Sequence, residues 1–258
     1  MTQILRTIDP RDTAKMRRIQ GLCLREHIMP PPVAYVGAKV YQCPPHLLVN
    51  GRIPEGLKLD QLGIAPALVY DARSQSWVRN AYNIVVTQLL GIRNDEGGTY
   101  GAGGMYCKDT GGSNRSFSSA GTHQIRATTA AEGALGSTAT GIVVGTGTGA
   151  ESFEGYALGT IVANGTGAGQ LSYAAQETTT ASYNAGTKIW TSTMIRYMNN
   201  NSGGAIVVGE AACYVNAYTS ETGYYYMLCR DLLSPTVNVP DTSQLKVTYT
   251  IDSMAYPA

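Results

Sequence analysis

The stretch that decides the fold is GAIVVGEAACYVN at residues 204–216, followed at 223–232 by GYYYMLCRDL. Both runs are rich in Val, Tyr, Cys and Ala, the side chains that fit a pleated, half-buried surface. The YTSET between them has the chemistry of a hairpin connection. A hairpin centred on Ser220 sets Glu210 directly opposite Arg230, and each charge has apolar neighbours two positions along its own strand. The pair is therefore read as a structural ion pair on a covered face, beneath a helix expected at 75–90 or another subunit. A rim pair of little energetic consequence, or a register that separates the two, are the alternatives.

Outward from this hairpin the same texture continues. Thr-, Val-, Tyr- and Ala-rich runs at 139–145, 157–163, 169–175, 188–198 and 244–251 are divided by Gly, Asn and Ser clusters about every ten residues. The run 188–198, KIWTSTMIRYM, is expected to reach its partner through a second hairpin, NNNSGG. Seven or eight strands of this kind predict a mainly β chain, an antiparallel β-sandwich of jelly-roll type.

The N-terminal part has a different character. Met16, Ile19, Leu22 and Cys23 form an apolar stripe opposite Arg17, Arg18 and Arg25, which predicts an amphipathic helix capped by Asp9, opened by Pro10 and ended by Pro30-Pro31-Pro32. From 30 to 66 scattered prolines (Pro44, Pro45, Pro54, Pro66) and the lack of any sustained period predict an extended arm, lying on a neighbouring subunit or on the protein's own sheet. Met16, Ile19 and Leu22 of the helix, with Tyr35 and Tyr41 of the arm, are the expected interface residues. The domain reading is thus a helix and arm over 1–66 and a sandwich over 67–258. A second helix is expected at 75–90, with Trp77, Ala81, Ile84, Val85 and Leu89 on its packed face and a cap at Ser74 or Ser76. The glycine-dense segment that follows, NDEGGTYGAGGMYCKDTGGSN, reads as a long loop.

Composition limits what such a chain can do. Charged residues are 14% of its 258 residues, against a usual value of about 25%. The formal net charge of +1 gives no general attraction to nucleic acid or anionic membranes. Seventeen Tyr and two Trp against two Phe favour rings with a polar tip, suited either to half-wet interfaces or simply to strands. From Ala127 to Thr187 there is neither Lys nor Arg, while Glu132, Glu151, Glu154 and Glu177 remain. Five cysteines without a Cys-x-x-Cys pair read as thiols in a reducing compartment, and neither a signal peptide nor a membrane-spanning run is expected.

No motif predicts chemistry. Gly145-Thr-Gly147-Thr-Gly149 and Gly165-Thr-Gly167-Ala-Gly169 lack a following helix or a Lys-Ser/Thr, so they read as turns rather than phosphate loops. His27, His46 and His123 are scattered, no Gly-x-Ser-x-Gly elbow occurs, and Asp95-Glu96 with Asp109 lack the spacing of a calcium loop. The expectation is no enzyme, no metal and no cofactor. Exposed tyrosines such as Tyr224, Tyr225 and Tyr226 keep a carbohydrate-binding module as the alternative.

SWVRNAYN at 76–83, ANGTGAGQLSY at 163–173, MIRYMNNNSGGAIVVGEAACYV at 194–215 and MLCRDLLSPTVNVPDTSQLKVTYTI at 227–251 together resemble virion proteins of tailed bacteriophages. In these tail and capsid-surface proteins an Arg-Asp strand, a Val-Pro turn and an alternating Val-Thr-Tyr strand can close the chain. Trp77 and Arg79, in the first of these stretches, are taken as structural residues. The resemblance implies a non-enzymatic β-sandwich built into a virion as symmetric copies. The expected partners are copies of itself and other virion proteins, without nucleic acid or membrane, and with a host-surface glycan as the alternative ligand.

Overall fold

The computed structural model describes residues 1–26, 33–74, 76–90, 106–116, 131–186, 189–219 and 222–255. The protein is mainly β. Its larger sheet comprises β1 (Gln3–Arg6), β2 (Val33–Gln42), β3 (Leu68–Ser74), β7 (Ser172–Tyr173), β8 (Thr180–Asn184), β9 (Ile189–Asn200) and β12 (Ser243–Ala255). Its strand order is β1-β3-β2-β12-β9-β7, with β8 also paired to β9. The β1–β3 pairing is parallel and the other pairings are antiparallel. A smaller sheet places β10 (Ile206–Thr219) between β11 (Thr222–Val239) and β6 (Gly141–Gly145), while β4 (Tyr106–Lys108) and β5 (Asn114–Ser116) form a separate ribbon.

Alternation decides what each sheet buries. Val36, Ala38 and Val40 of β2, Leu68, Tyr70 and Ala72 of β3, and Leu245, Val247 and Tyr249 of β12 point to one side of the large sheet. There they share a core with Ile142, Val143 and Val144 of β6, Val208, Ala212 and Tyr214 of β10, and Met227, Cys229, Val237 and Val239 of β11. A second cluster joins Ile84 of helix α2 (Arg79–Leu90) to Val215, Ala217 and Tyr226, with Cys107 of β4. A third joins Tyr41 to Cys43, Ile53 and Leu59, where residues 43–66 fold over the end of β2.

Several sequence expectations change at this level. The segment 30–66 is not an extended arm: β2 lies inside the large sheet, paired over its length with β12 on one side and with β3 on the other. The strands flanking the expected boundary at 66 are thus hydrogen-bonded neighbours. β2 alternates along its middle, with Ala34, Val36, Ala38 and Val40 buried and Tyr35, Gly37 and Lys39 half-buried between them, as an interior strand with one face on the core does. NNNSGG is not a hairpin turn, because β9 and β10 belong to different sheets and this segment carries the chain from one to the other. The run 157–163 contributes only an isolated bridge, Gly145 to Ile161. Val85, expected on the packed face of α2, is 60% exposed, whereas Ala81 and Ile84 are buried.

Helix α1 (Pro10–Arg25) forms as expected, with the Arg11 N–H donating to Asp9 Oδ1 at 2.8 Å, an N-cap ahead of Pro10. Its expected terminator Pro30-Pro31-Pro32 lies outside the described residues. Among the described residues, no α1 side chain joins any of the three hydrophobic clusters. Leu22 on its apolar stripe is 41% exposed.

Candidate functional site

The charged hairpin pair is built by β10 and β11, but not in the simple register. Bulges between Val208 and Glu210 and between Cys213 and Tyr214 move the ladder, so that Glu210 faces Leu232 and Arg230 faces Ala212. The hairpin centre Ser220 itself lies outside the described residues. The offset is two positions, a diagonal that long side chains span. Arg230 Nε donates to Glu210 Oε2 at 2.6 Å, and the Glu210 side chain is 0% exposed.

What covers this pair is neither α2 nor a partner; it is the first glycine-rich turn. Glu210 Oε1 accepts the N–H groups of Gly147 (3.2 Å) and Thr160 (3.1 Å). The Arg230 guanidinium donates to the Gly149 (2.9 Å) and Ala150 (3.1 Å) carbonyls. Its backbone N–H donates to Ser76 O at 3.1 Å. Next to it, Glu151 accepts the Leu232 N–H at 2.8 Å. The first two glycines of GTGTG follow from this approach: a Cβ on Gly147 would lie 2.8 Å from Glu210 Cδ, and one on Gly145 2.5 Å from Thr160 O, whereas Gly149 faces open space. One ion pair thus fixes residues 145–160 onto the smaller sheet.

A second lock escaped the sequence. Arg196 of β9 is 0% exposed and pairs with no carboxylate among the described residues; its guanidinium donates to the carbonyls of Ala134 (2.8 Å), Ile142 (2.9 Å), Ala174 (3.0 Å) and Thr140 (3.2 Å). It also stacks 4.9 Å from the Tyr173 ring centre. Burial pulls its pKa down to about 10, against a smaller opposing pull from Tyr173, so it remains a cation at neutral pH. The available signal was its phase: Met194, Arg196 and Met198 alternate onto one face, and Met198 lies in the core. A third lock ties 43–66 to the large sheet, where Lys246 Nζ (2.6 Å) and the Tyr197 hydroxyl (3.0 Å) reach Asp60.

Trp77 bridges the backbone of Cys229 and packs against the main core. Arg79, at the start of α2, pairs with Glu154, and its guanidinium lies 5.7 Å from the Phe153 ring and 5.9 Å from the Tyr106 ring. Its backbone N–H holds Phe153 O at 2.8 Å. Phe153 and Tyr82 are 53% and 55% exposed and lie 5.7 Å apart at 51°. With Val85 they make an outward aromatic and apolar patch anchored on an arginine.

Of the expected interface residues, Ile19 is half-buried, Leu22 exposed and Tyr35 half-buried, and the Met16 side chain lies outside the described residues. Tyr41 is corrected: it is buried in its own chain beside Cys43 and Ile53, and burial followed by the nearby Asp60 and Asp71 charges pushes its hydroxyl up to about 12. The three tyrosines do not form a platform. Tyr225 is exposed, Tyr226 is buried, and Tyr224 lies under Arg115 at 4.1 Å. Asp109 organises its own turn, accepting the Ser113 N–H and pairing with Arg115 at 2.7 Å. His46 is exposed in a short turn, while His27, His123 and Asp95-Glu96 lie outside the described residues.

A groove of about 540 Å³ runs between residues 53–56 and 164–174, bordered by Asn164, Asn199 and Asn201. All three amides hold its walls, bonding Tyr173 N, Pro54 O and the Ile53 backbone. Among the described residues no three potential metal ligands come together, and no helix is long and apolar enough to cross a membrane. No family model, curated protein or solved structure matches this chain.

Proposed function

We propose that this chain is a non-enzymatic structural component of a tailed-phage virion: a jelly-roll-like β-sandwich assembled as symmetric copies in the tail or neck or on the capsid surface. One observation carries the reading furthest. The buried charges Glu210, Arg230 and Arg196 all hold the chain's own loops, while apolar groups that a lone domain would cover, Leu22, Tyr82, Val85 and Phe153, face outward. Rigid loops and uncovered aromatic surface suit work done by burying complementary area against neighbours. The resemblance of four stretches to phage virion proteins supplies the setting.

Two measurements test it. Sedimentation of the purified chain is expected to show concentration-dependent self-association, and mass spectrometry of purified phage particles to find the chain in stoichiometric amounts. A chain that stays monomeric and is absent from particles overturns the reading. Without a tyrosine platform, the glycan alternative has no geometry to favour it.

A further inference from the structure

On the opposite face of the hairpin from Glu210 and Arg230, a second pair of side chains meets that none of the locks uses. Cys213 of β10 and Cys229 of β11 are direct cross-strand partners. The Cys213 thiol hydrogen-bonds that of Cys229, and both residues lie in the main core. The geometry of the pair follows from its neighbours. Leu228 O and the Arg230 N–H are spent on the Val78 N–H and Ser76 O, so the backbone groups of Cys229 turn the other way, toward β10. Ile142, opposite Cys213 in β6, gives its N–H to Gln176 and its carbonyl to Arg196, so Cys213 in turn bonds toward β11. A hydrogen-bonded antiparallel pair holds its Cα atoms about 5.5 Å apart, with both side chains on one face. That separation is one a disulfide spans. Cys43 and Cys107 sit in the two other clusters and Cys23 on α1, each apart from the pair.

We infer that Cys213 and Cys229 are a disulfide-forming pair, kept as thiols while the core is shut and closed by a low-molecular-weight disulfide when it is open. Burial first, then the neighbouring Cys229 thiol and the Asp231 charge, pushes the Cys213 thiol well up, so thiolate is scarce in the folded chain. Asp231 is fixed in place by the hydroxyls of Ser74 and Tyr249. Opening the core removes this restraint. One Cys thiolate then attacks a sulfur of the small disulfide, whose S–S bond breaks and releases a small thiol. The second Cys thiolate attacks the protein sulfur of the mixed disulfide and releases the other. The two protons and two electrons lost by the cysteines leave on the two small thiols. The new bond ties β10 to β11 next to the bulge between Cys213 and Tyr214, and so fixes the register on which the Glu210–Arg230 contact depends. Nothing in this chemistry depends on assembly into a particle.

The test refolds the full chain from urea with oxidised glutathione as the small disulfide and, in parallel, exposes the folded chain to it. Both cysteines fall in one tryptic peptide, 197–230, which has no Lys or Arg before its end. After refolding, mass spectrometry is expected to find that peptide resistant to alkylation and two hydrogens lighter. The urea midpoint should rise, and dithiothreitol should reverse the rise. The folded chain should close the bond at least about tenfold more slowly. Cys213→Ala and Cys229→Ala should each show no rise with the oxidant. A peptide alkylated at both cysteines, or one joined to another peptide, overturns the inference, as does a lower midpoint for the closed form. Closure as fast in the folded chain as during refolding overturns it too, because the core would then shield nothing.

Discussion

Glu210 and Arg230 show how a charge becomes structural. Their mutual attraction is joined by four bonds to the loop backbone, so losing one partner leaves a buried ion facing groups positioned for the pair. Glu210→Gln and Arg230→Met are each expected to destabilise the chain by about 3–5 kcal/mol, with the double variant recovering part of the loss. Urea midpoints at constant slope check this, and small additive effects would reject it. Arg196 is a harsher case, because its cation is balanced by carbonyl oxygens on separate stretches of chain. Arg196→Met should cost at least about 3 kcal/mol by orphaning those acceptors. Arg196→Lys should not restore stability, since one ammonium cannot reproduce the planar fork; a fully stable Lys variant would disprove the lock. Both arginines sit at apolar-phase positions of strands. For Arg230 the sequence makes that phase legible, because Glu210 offers a partner. For Arg196 it does not, because backbone carbonyls leave no trace in composition.

At the scale of elements, the hairpin β10–β11 is legible in the sequence and its register is not. Two bulges displace the ladder, and a bulge needs no particular residue to announce it. The strand β2 carries its signal in the open: Ala34, Val36, Ala38 and Val40 alternate with half-buried Tyr35, Gly37 and Lys39, a period of two that the surrounding prolines at 30–32 and 44–45 obscure. Beyond them Tyr41 is buried under the 43–66 segment. That segment is held by Asp60, whose pH behaviour follows from its surroundings. Burial alone would raise its pKa, but hydrogen bonds from Lys246 and Tyr197 outweigh this and leave it below the ordinary carboxylate value. A carboxylate with a depressed folded-state pKa stabilises fully above the unfolded value, about 3.9, and loses that contribution as pH falls through the folded value. Asp60→Asn should therefore be less stable than the parent at pH 7, and the gap should close as both are acidified to about pH 2. A gap independent of pH, read from urea midpoints across that range, would remove Asp60 from the role.

Across the whole molecule the strand order separates what can be cut from what cannot. β1 is a four-residue edge strand and, among the described residues, α1 contributes to no core cluster, so a chain lacking residues 1–26 is expected to fold, with native-like circular dichroism and a cooperative melt. A chain lacking 1–66 loses β2 from inside the large sheet and should not fold at all; a cooperative melt for that truncation would contradict this strand order. The same order governs how the protein comes into being. β12 fills the slot between β2 and β9, joining residues near 40 to residues near 245 along nearly the full length of three strands. While the chain is being synthesised, β2 and β9 have no common neighbour, and the large sheet stays in two pieces until residues up to 255 have left the ribosome. Non-local closure of this kind makes maturation slow and late. That delay acts as a clock: a nascent chain cannot present a finished large sheet before its own synthesis has reached β12.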